Sequence, residues 1–486
     1  MPQSLPEFIK QLAPIYPEFL VIGVALAILV LDLFTDRKYK AVLGWFGLAG
    51  VICSAVLTVQ LMEGGLQGAF FGNTFLLDPF ANYFKLVFYV SCGLGILVSL
   101  KYLEIEDINR GEYYALMLFA TSGMMLMASA GDLISLYLGL ELMALSVYVL
   151  AGFMRRDSRS NEAGIKYLLL GAFSSGIMLY GMSLLYGLAG TTNLNGILSF
   201  LKGADLGNPV LFLAMVMLMV SFGFKVAAAP FHMWVPDVYE GAPTSVTAFM
   251  SAGPKVAGFA VLLRVFLHAL GPIHADTSML FSLLAVLTMA VGNIMAISQT
   301  NIKRMLAYSS IAHAGYALVG LAAGGPDGAA SVMLYVLIYA VMNMGAFGVV
   351  IMLRKAGVRG EEITDFAGLG KTNKTAAFLM LIFLFSLTGI PPMAGFMGKF
   401  YIFKSAVQAG LVWLAVAGVL FSAVSAYFYL RVIMQMFMYE PKQEFALVQS
   451  PALALALAVS VTAVIVIGIY PTAVLEFARA SITGLL

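Results

Sequence analysis

The chain has 486 residues, 61% of them hydrophobic and only 11% charged, with a mean hydropathy of +0.94. Soluble domains carry roughly 25% charged residues, and a water-exposed fold of this size needs a charged exterior, so soluble enzymes, nucleic-acid binders and secreted disulfide scaffolds are excluded. The formal net charge is only +2, from 27 Lys+Arg against 25 Asp+Glu, so the placement of the charges carries more information than their sum.

A membrane-crossing helix needs about 20 apolar residues. The apolar runs predict about fourteen such spans, at 18–34, 41–62, 79–100, 113–130, 132–153, 163–188, 209–229, 243–268, 277–297, 303–322, 328–354, 375–405, 410–438 and 452–471. The chain is therefore read as an all-α polytopic membrane protein. The stretch MPQSLPEFIKQLAPIYPEFL ahead of the first span holds acidic residues and prolines. It lacks a basic n-region and an A-x-A cleavage site, so the first span is expected to be retained. Cys53 and Cys92 lie in apolar runs and read as small packing residues. The fourth and fifth spans meet at Ala130, Gly131 and Asp132, a tight turn. The run 375–405 is too long for one straight crossing, and Pro391 and Pro392 break it near its middle. Pro230 ends the run 209–229 in the same way.

Basic loop residues orient the chain. Arg37, Lys38, Lys40, Lys101, Arg110, Arg155, Arg156, Arg159, Lys303, Arg304, Arg354, Lys355, Arg359, Lys371, Lys374 and Lys442 fall on one side, which the positive-inside rule makes cytoplasmic. The other side holds little beyond Lys10, Lys202 and Arg479. Both termini are then expected on the non-cytoplasmic side. Two proline-interrupted helices, each with a lysine beside the break (Lys225 before Pro230, Lys399 after Pro391 and Pro392), lie about five spans apart. An odd spacing inverts topology, so the pattern predicts an inverted repeat with broken helices.

Ionisable groups at membrane depth are costly and usually functional. Glu141, in LYLGLELMALSVY, lies nine residues into its span, about 14 Å deep by helical rise. Lys225 sits in SFGFKVAAAPFHMW, Lys255 directly follows Pro254 deep in the eighth span, and Lys399 stands in GIPPMAGFMGKFYIF. Desolvation disfavours charge on lysine and glutamate alike, whereas pairing favours it. A Glu141–Lys225 pair that forms and breaks would therefore load and unload a proton. His313, Tyr308, Ser309 and Ser310, on the span IKRMLAYSSIAHAGY, and Asn343 are candidate relay groups. Lys166, Lys303, Arg304 and Arg431 lie near span ends and read as interfacial or cytoplasmic anchors, and Arg264 lies deeper, with no partner identifiable from the sequence. The four histidines His232, His268, His274 and His313 lack metal-ligand spacing. AGLGKT at 367–372 is not a phosphate loop, because Asp365 occupies the position of its first glycine.

GDLISLYLGLELMALS (131–146), SFGFKVAAAPFHMWVPDVYEGAPTSVTAFMSAGPKVAGF (221–259), SQTNIKRMLAYSSIAHAGY (298–316) and TGIPPMAGFMGKFYIF (388–403) resemble the antiporter-like, proton-conducting membrane subunits of respiratory complex I (NADH:quinone oxidoreductase), a family shared with Mrp-type Na+/H+ antiporters. The likeness runs over essentially the whole chain. It is greatest to the smallest of the three antiporter-like subunits: Lys399 stands where one larger subunit has a glutamate, and the chain stops at Leu486 without the long lateral helix of the other. The resemblance implies an N-terminal three-helix segment (1–110), two inverted five-helix repeats (111–270 and 271–440) and a C-terminal helix (441–486). It implies that Glu141 modulates Lys225, that Lys255 is a central relay lysine, and that Lys399 handles protons in the second half-channel. It implies no cofactor in this chain, with FMN, iron–sulfur clusters and quinone in partner subunits. Expected partners are the other membrane-arm and peripheral-arm subunits, neighbouring antiporter-like subunits among them, and the lipid bilayer, with no nucleic acid. The expected location is a bacterial inner membrane. The alternatives are a subunit of an Mrp-type Na+/H+ antiporter, or of a related hydrogenase or dehydrogenase complex.

Overall fold

A computed structural model describes residues 12–354, 360–441, 448, 450–483 and 485; Lys10, Lys355, Arg359 and Lys442, used above to orient the chain, lie outside these. The α-helices of eight residues or more are α1 Tyr16–Phe34, α2 Ala41–Glu63, α3 Pro79–Ile105, α4 Gly111–Ala128, α5 Leu133–Ala151, α6 Ser158–Ala189, α7 Leu194–Leu201, α8 Pro209–Val226, α9 Trp234–Gly241, α10 Thr244–Leu262, α11 His274–Ile297, α12 Ile302–Ala323, α13 Gly325–Met352, α14 Lys374–Thr388, α15 Ala394–Gln408, α16 Val412–Met438, α17 Pro451–Ile469 and α18 Thr472–Ile482. Among the described residues, 12 helices are long and apolar enough to cross a membrane. Gly111–Ala128 and the broken pair α14–α15 supply the other two predicted crossings.

Three features depart from the sequence reading. Between α2 and α3 stands a two-stranded hairpin, Gly68–Phe70 against Phe75–Leu77. Phe71, Gly72 and Asn73 make its turn with positive φ, a conformation that apolar-run counting does not register. The seventh crossing ends at Val226, not 229, because Ala227 turns left-handed (φ 65°) ahead of Pro230. The short helices α7, α9 and α18 lie outside the predicted spans.

Many helix starts are set by a local polar signal. Asp78, Asp132, Asn193, Asn208, Asn301 and Asn373 each accept a hydrogen bond from a backbone N–H in the first turn that follows, satisfying donors that hydrocarbon leaves orphaned. Small residues set the closest approaches. A Cβ on Gly123 (α4) would come within 2.5 Å of the Met143 nitrogen (α5), and one on Gly292 (α11) within 2.4 Å of the Ala312 nitrogen (α12). The two hairpins α4–α5 and α11–α12 thus interlock at backbone distance.

The inverted repeats are visible in how each hairpin is closed. Leu133 N donates to Thr192 O at 3.0 Å and Leu194 N to Gly131 O at 3.0 Å, tying the α4–α5 turn to the loop after α6. Ile302 N donates to Glu361 O at 2.7 Å and Ile363 N to Thr300 O at 2.8 Å, tying the α11–α12 turn to the loop after α13. The first tie lies at one end of the molecule and the second at the other, as inversion demands. The apolar windows of α10 and α12 are 100% buried, whereas those of α1 and α16 are 28% and 33% buried. Polar groups within those stretches of α10 and α12 therefore face protein on all sides.

Candidate functional site

The two helix breaks share one backbone device. After α8, Ala228 N donates to Gly223 O at 2.8 Å around left-handed Ala227; after α14, Ile390 N donates to Phe385 O at 3.0 Å around left-handed Gly389 (φ 91°). Both are six-to-one closures that cap a helix C-terminus. Pro230 follows the first, Pro391 and Pro392 the second. Each break leaves the negative end of a half-helix dipole inside the protein, where it favours a cation.

Lysine answers both ends, by different routes. Lys225 lies on the last turn of α8 itself, 6% exposed. Lys399 lies on α15 and reaches back, its Nζ donating to Leu387 O at 3.1 Å, Thr388 O at 2.8 Å and Ser422 Oγ at 2.8 Å. Counted from the left-handed residue, Leu387 occupies the place of Lys225 and Asp237 that of Lys399, so the two lysines are not symmetry mates.

Lys225 Nζ donates to Tyr148 Oη at 3.2 Å and lies 5.7 Å from the centre of the Phe224 ring. Glu141 accepts a short hydrogen bond from Ser175 Oγ. Glu141 and Lys225 do not form the direct pair expected from the sequence. Tyr148, two turns on from Glu141 and on the same face of α5, takes the lysine in its place.

The remaining groups assemble along α12. Lys255 (α10) donates to Ser310 O at 2.7 Å and also to Ser310 Oγ. His313 follows one turn later, its Nδ1 2.6 Å from Tyr335 Oη and its Nε2 3.2 Å from Tyr429 Oη. Tyr429 in turn bonds Ser309. A turn further on, the ring of Tyr316 lies 4.7 Å below Lys399 Nζ. Between Lys255 and His313 is a small cavity bounded by Phe259, Tyr335 and Tyr339, with ≈ 10 Å³ open to the centre of a water-sized sphere, about the room one water needs. Lys255, His313 and Lys399 are thus brought onto one line. Tyr308 is not, and its hydroxyl makes no hydrogen bond among the described residues. Asn343 donates to Ser251 Oγ at 2.6 Å, one turn before Lys255. Tyr148, Ser175, Tyr335, Tyr429 and Ser422 were not anticipated. Ser and Tyr are common in apolar helices, and only packing shows which hydroxyls face an ionisable group.

Other buried cations behave differently. Lys85 meets Glu18 at 2.7 Å and Arg264 meets Asp78 at 2.8 Å. Lys303, 2% exposed, donates to Glu240 O and Ala242 O and meets Glu361 at 3.4 Å. Lys225, Lys255 and Lys399 form no ion pair among the described residues. Nor does any group of three His, Cys, Asp or Glu side chains there converge as metal ligands would.

Residues 130–425 match the family described as NADH:quinone oxidoreductase/Mrp antiporter, TM. The chain is 49% identical over 470 residues to the NADH-quinone oxidoreductase subunit N of Trichlorobacter lovleyi, covering 96% of each chain. It is 50% identical over 469 residues to subunit N 2 of Rhizobium meliloti, covering 96% of this chain and 97% of that one. A chain of respiratory complex I from Thermus thermophilus superposes with a TM-score of 0.81 at 31% identity, covering 96% of this chain and all of that one. The chain therefore belongs to the NADH:quinone oxidoreductase/Mrp antiporter family of membrane subunits and, within it, to the NADH-quinone oxidoreductase subunit N branch.

Proposed function

We propose that this chain carries protons across a bacterial plasma membrane as part of an NADH:quinone oxidoreductase, through Glu141, Lys225, Lys255, His313 and Lys399. The observation that carries this reading is the division among the buried cations. Lys85, Arg264 and Lys303 are each matched by a carboxylate, whereas Lys225, Lys255 and Lys399 are held by hydroxyls and carbonyls alone. At an unmatched lysine, an arriving or departing proton changes the local charge by a full unit, and in a low-dielectric interior the next group along feels that change. Glu141, one side chain away from Lys225 through Tyr148, sets the potential in which that lysine exchanges its proton. His313 presents two ring nitrogens to two phenols, the arrangement a proton shuttle needs.

Moving one charge against the membrane potential costs about 2.3 kcal/mol per 100 mV, so conduction has to be driven and gated. In this reading the drive comes from electron transfer between NADH and quinone in partner subunits. Those subunits would hold the FMN and iron–sulfur centres, and this chain would bind no redox group. The distribution of basic loop residues supports both termini on the non-cytoplasmic side.

The test is made on the purified complex in sealed vesicles. Lys225→Ala and Glu141→Ala should depress proton pumping and, through coupling, quinone reduction. Full pumping and full turnover in both variants would reduce the chain to a spacer. A preparation without NADH-oxidising partners that exchanged Na+ for H+ would favour the antiporter reading.

A further inference from the structure

The stretch 227–242 leads from the first helix break through α9 to the start of α10, and the α11–α12 hairpin grips it at both ends. Inside the break, Ala229 N donates to Thr288 Oγ1 on α11 at 2.9 Å. Thr288 is fully buried, and its own hydroxyl proton goes to Leu284 O one turn back, which leaves its oxygen to accept. At the other end, Lys303 Nζ on α12 donates to Glu240 O at 2.8 Å and to Ala242 O at 2.7 Å. These carbonyls close the C-terminus of α9, where intrahelical donors run out and the dipole favours a cation. Arg304, next in sequence, meets Asp237 at 2.8 Å and Glu240 at 3.0 Å.

The same stretch governs how two relay lysines sit. Lys225 immediately precedes Val226 and the left-handed Ala227, and Trp234 Nε1, at the start of α9, donates back to Phe224 O at 3.0 Å. Gly258 on α10, one turn past Lys255, packs on this turn: a Cβ there would lie 2.8 Å from Val226 Cγ1. Lys255 itself donates to Ser310 O on α12. The α11–α12 hairpin therefore holds Lys255 through Ser310 and the surroundings of Lys225 through Thr288 and Lys303. The α4–α5 hairpin has no such grip. Counted from the interlocking glycines Gly292 and Gly123, Phe119 takes the place of Thr288; counted from the capping residues Asn301 and Asp132, Ile134 takes that of Lys303. Packing of a helical hairpin, which both share, does not demand the clasp.

We infer that Thr288 and Lys303 are positioning residues for proton transfer: they clasp the stretch 227–242 at both ends and so fix the Lys225 site against the Lys255 site. The relay lysines take their hydrogen bonds from other groups, so both residues act through the backbone of that stretch and carry no proton in this role. This inference rests on the relay proposed above.

The test is made on the whole complex in sealed vesicles, with pumping expressed per assembled complex. Thr288→Val keeps the shape and removes the acceptor, and should pump about tenfold more slowly, as a buried donor left unmatched predicts. Thr288→Ser, which keeps the oxygen, should pump close to the parent rate. So should Ser282→Ala on the same helix, whose hydroxyl bonds Ser278 O at 2.8 Å. Lys303→Met should lose a factor similar to that of Thr288→Val. Thr288→Val/Lys303→Met should lose no more than about tenfold, because one cut already frees the stretch, whereas independent damage would multiply to about a hundredfold and overturn the clasp. Equal losses in Thr288→Val and Thr288→Ser would overturn it too, and that pair decides alone if Lys303→Met does not assemble. If Lys255→Met abolishes pumping while Thr288→Val pumps at the parent rate, the clasp fails and the relay stands. If Lys255→Met itself pumps at the parent rate, the relay fails and the clasp with it.

Discussion

Lys85 Nζ lies 2.7 Å from Glu18 Oε1, both side chains wholly buried, and this contact joins α3 to the first turn of α1. The approach makes an ion contact, not an aligned hydrogen bond, and the ring of Phe75 covers the lysine at 5.0 Å. Removing one partner from such a pair leaves an uncompensated charge, at a cost of about 3–5 kcal/mol, whereas replacing both with neutral groups is far milder. Lys85→Met and Glu18→Gln should each lower the unfolding temperature of the subunit in the detergent-solubilised complex. The double variant should recover most of the loss while pumping normally. Equal damage in the double variant would show that the pair is not the cause.

Tyr335→Phe removes the hydroxyl that meets His313 Nδ1 at 2.6 Å and leaves the ring packing in place. Losing a buried partner costs about 1–3 kcal/mol, which on a proton-transfer step is roughly one to two decades of rate. Pumping should fall by that order while the complex assembles normally. Tyr308→Phe, on a hydroxyl outside the network, should leave pumping near the parent level.

Asp237 lies outside the spans, bonded by Lys166 at 2.9 Å and by Arg304 at 2.8 Å. Partial burial pushes its carboxyl up, but the hydrogen bonds and charges of Lys166 and Arg304 outweigh this and hold it below its ordinary value. A depressed carboxylate stabilises the fold above its unfolded value and loses that contribution as pH falls through its folded value. Asp237→Asn should therefore unfold at a lower temperature than the parent at neutral pH. The difference should close below about pH 4, as read by thermal unfolding across a pH series.

Gly123→Ala should destabilise by about 1–3 kcal/mol through overpacking, because its Cβ would press on the Met143 backbone at 2.5 Å. Gly176→Ala, on α6, meets nothing within 4 Å and serves as the matched control, neutral or slightly stabilising. Similar losses at both positions would point to helix propensity in place of interlocking.

Much of the fold was legible because a membrane imposes its own period on the sequence. Apolar runs of one bilayer thickness mark the crossings, and prolines mark the two places where a crossing breaks. The rarity of charge at depth singled out Glu141, Lys225, Lys255 and Lys399 before any packing was known. The hairpin at 68–77 was illegible, since its turn depends on three positive-φ residues and the apolar run it buries, Phe75 to Leu77, is only three residues long.

Composition and hydropathy by themselves determined the solvent this chain lives in, the number of its crossings and the short set of ionisable groups inside them. These are properties of single segments, fixed by the cost of placing charge or bare backbone in hydrocarbon. Only the tertiary structure decided which buried cation has a carboxylate. Glu18 lies far from Lys85 along the chain, Asp78 meets Arg264 across 186 residues, and Tyr429 meets His313 across 116. Contacts at such separations come from helix packing, which no local pattern encodes. That packing is what separates matched, structural cations from the three unmatched lysines.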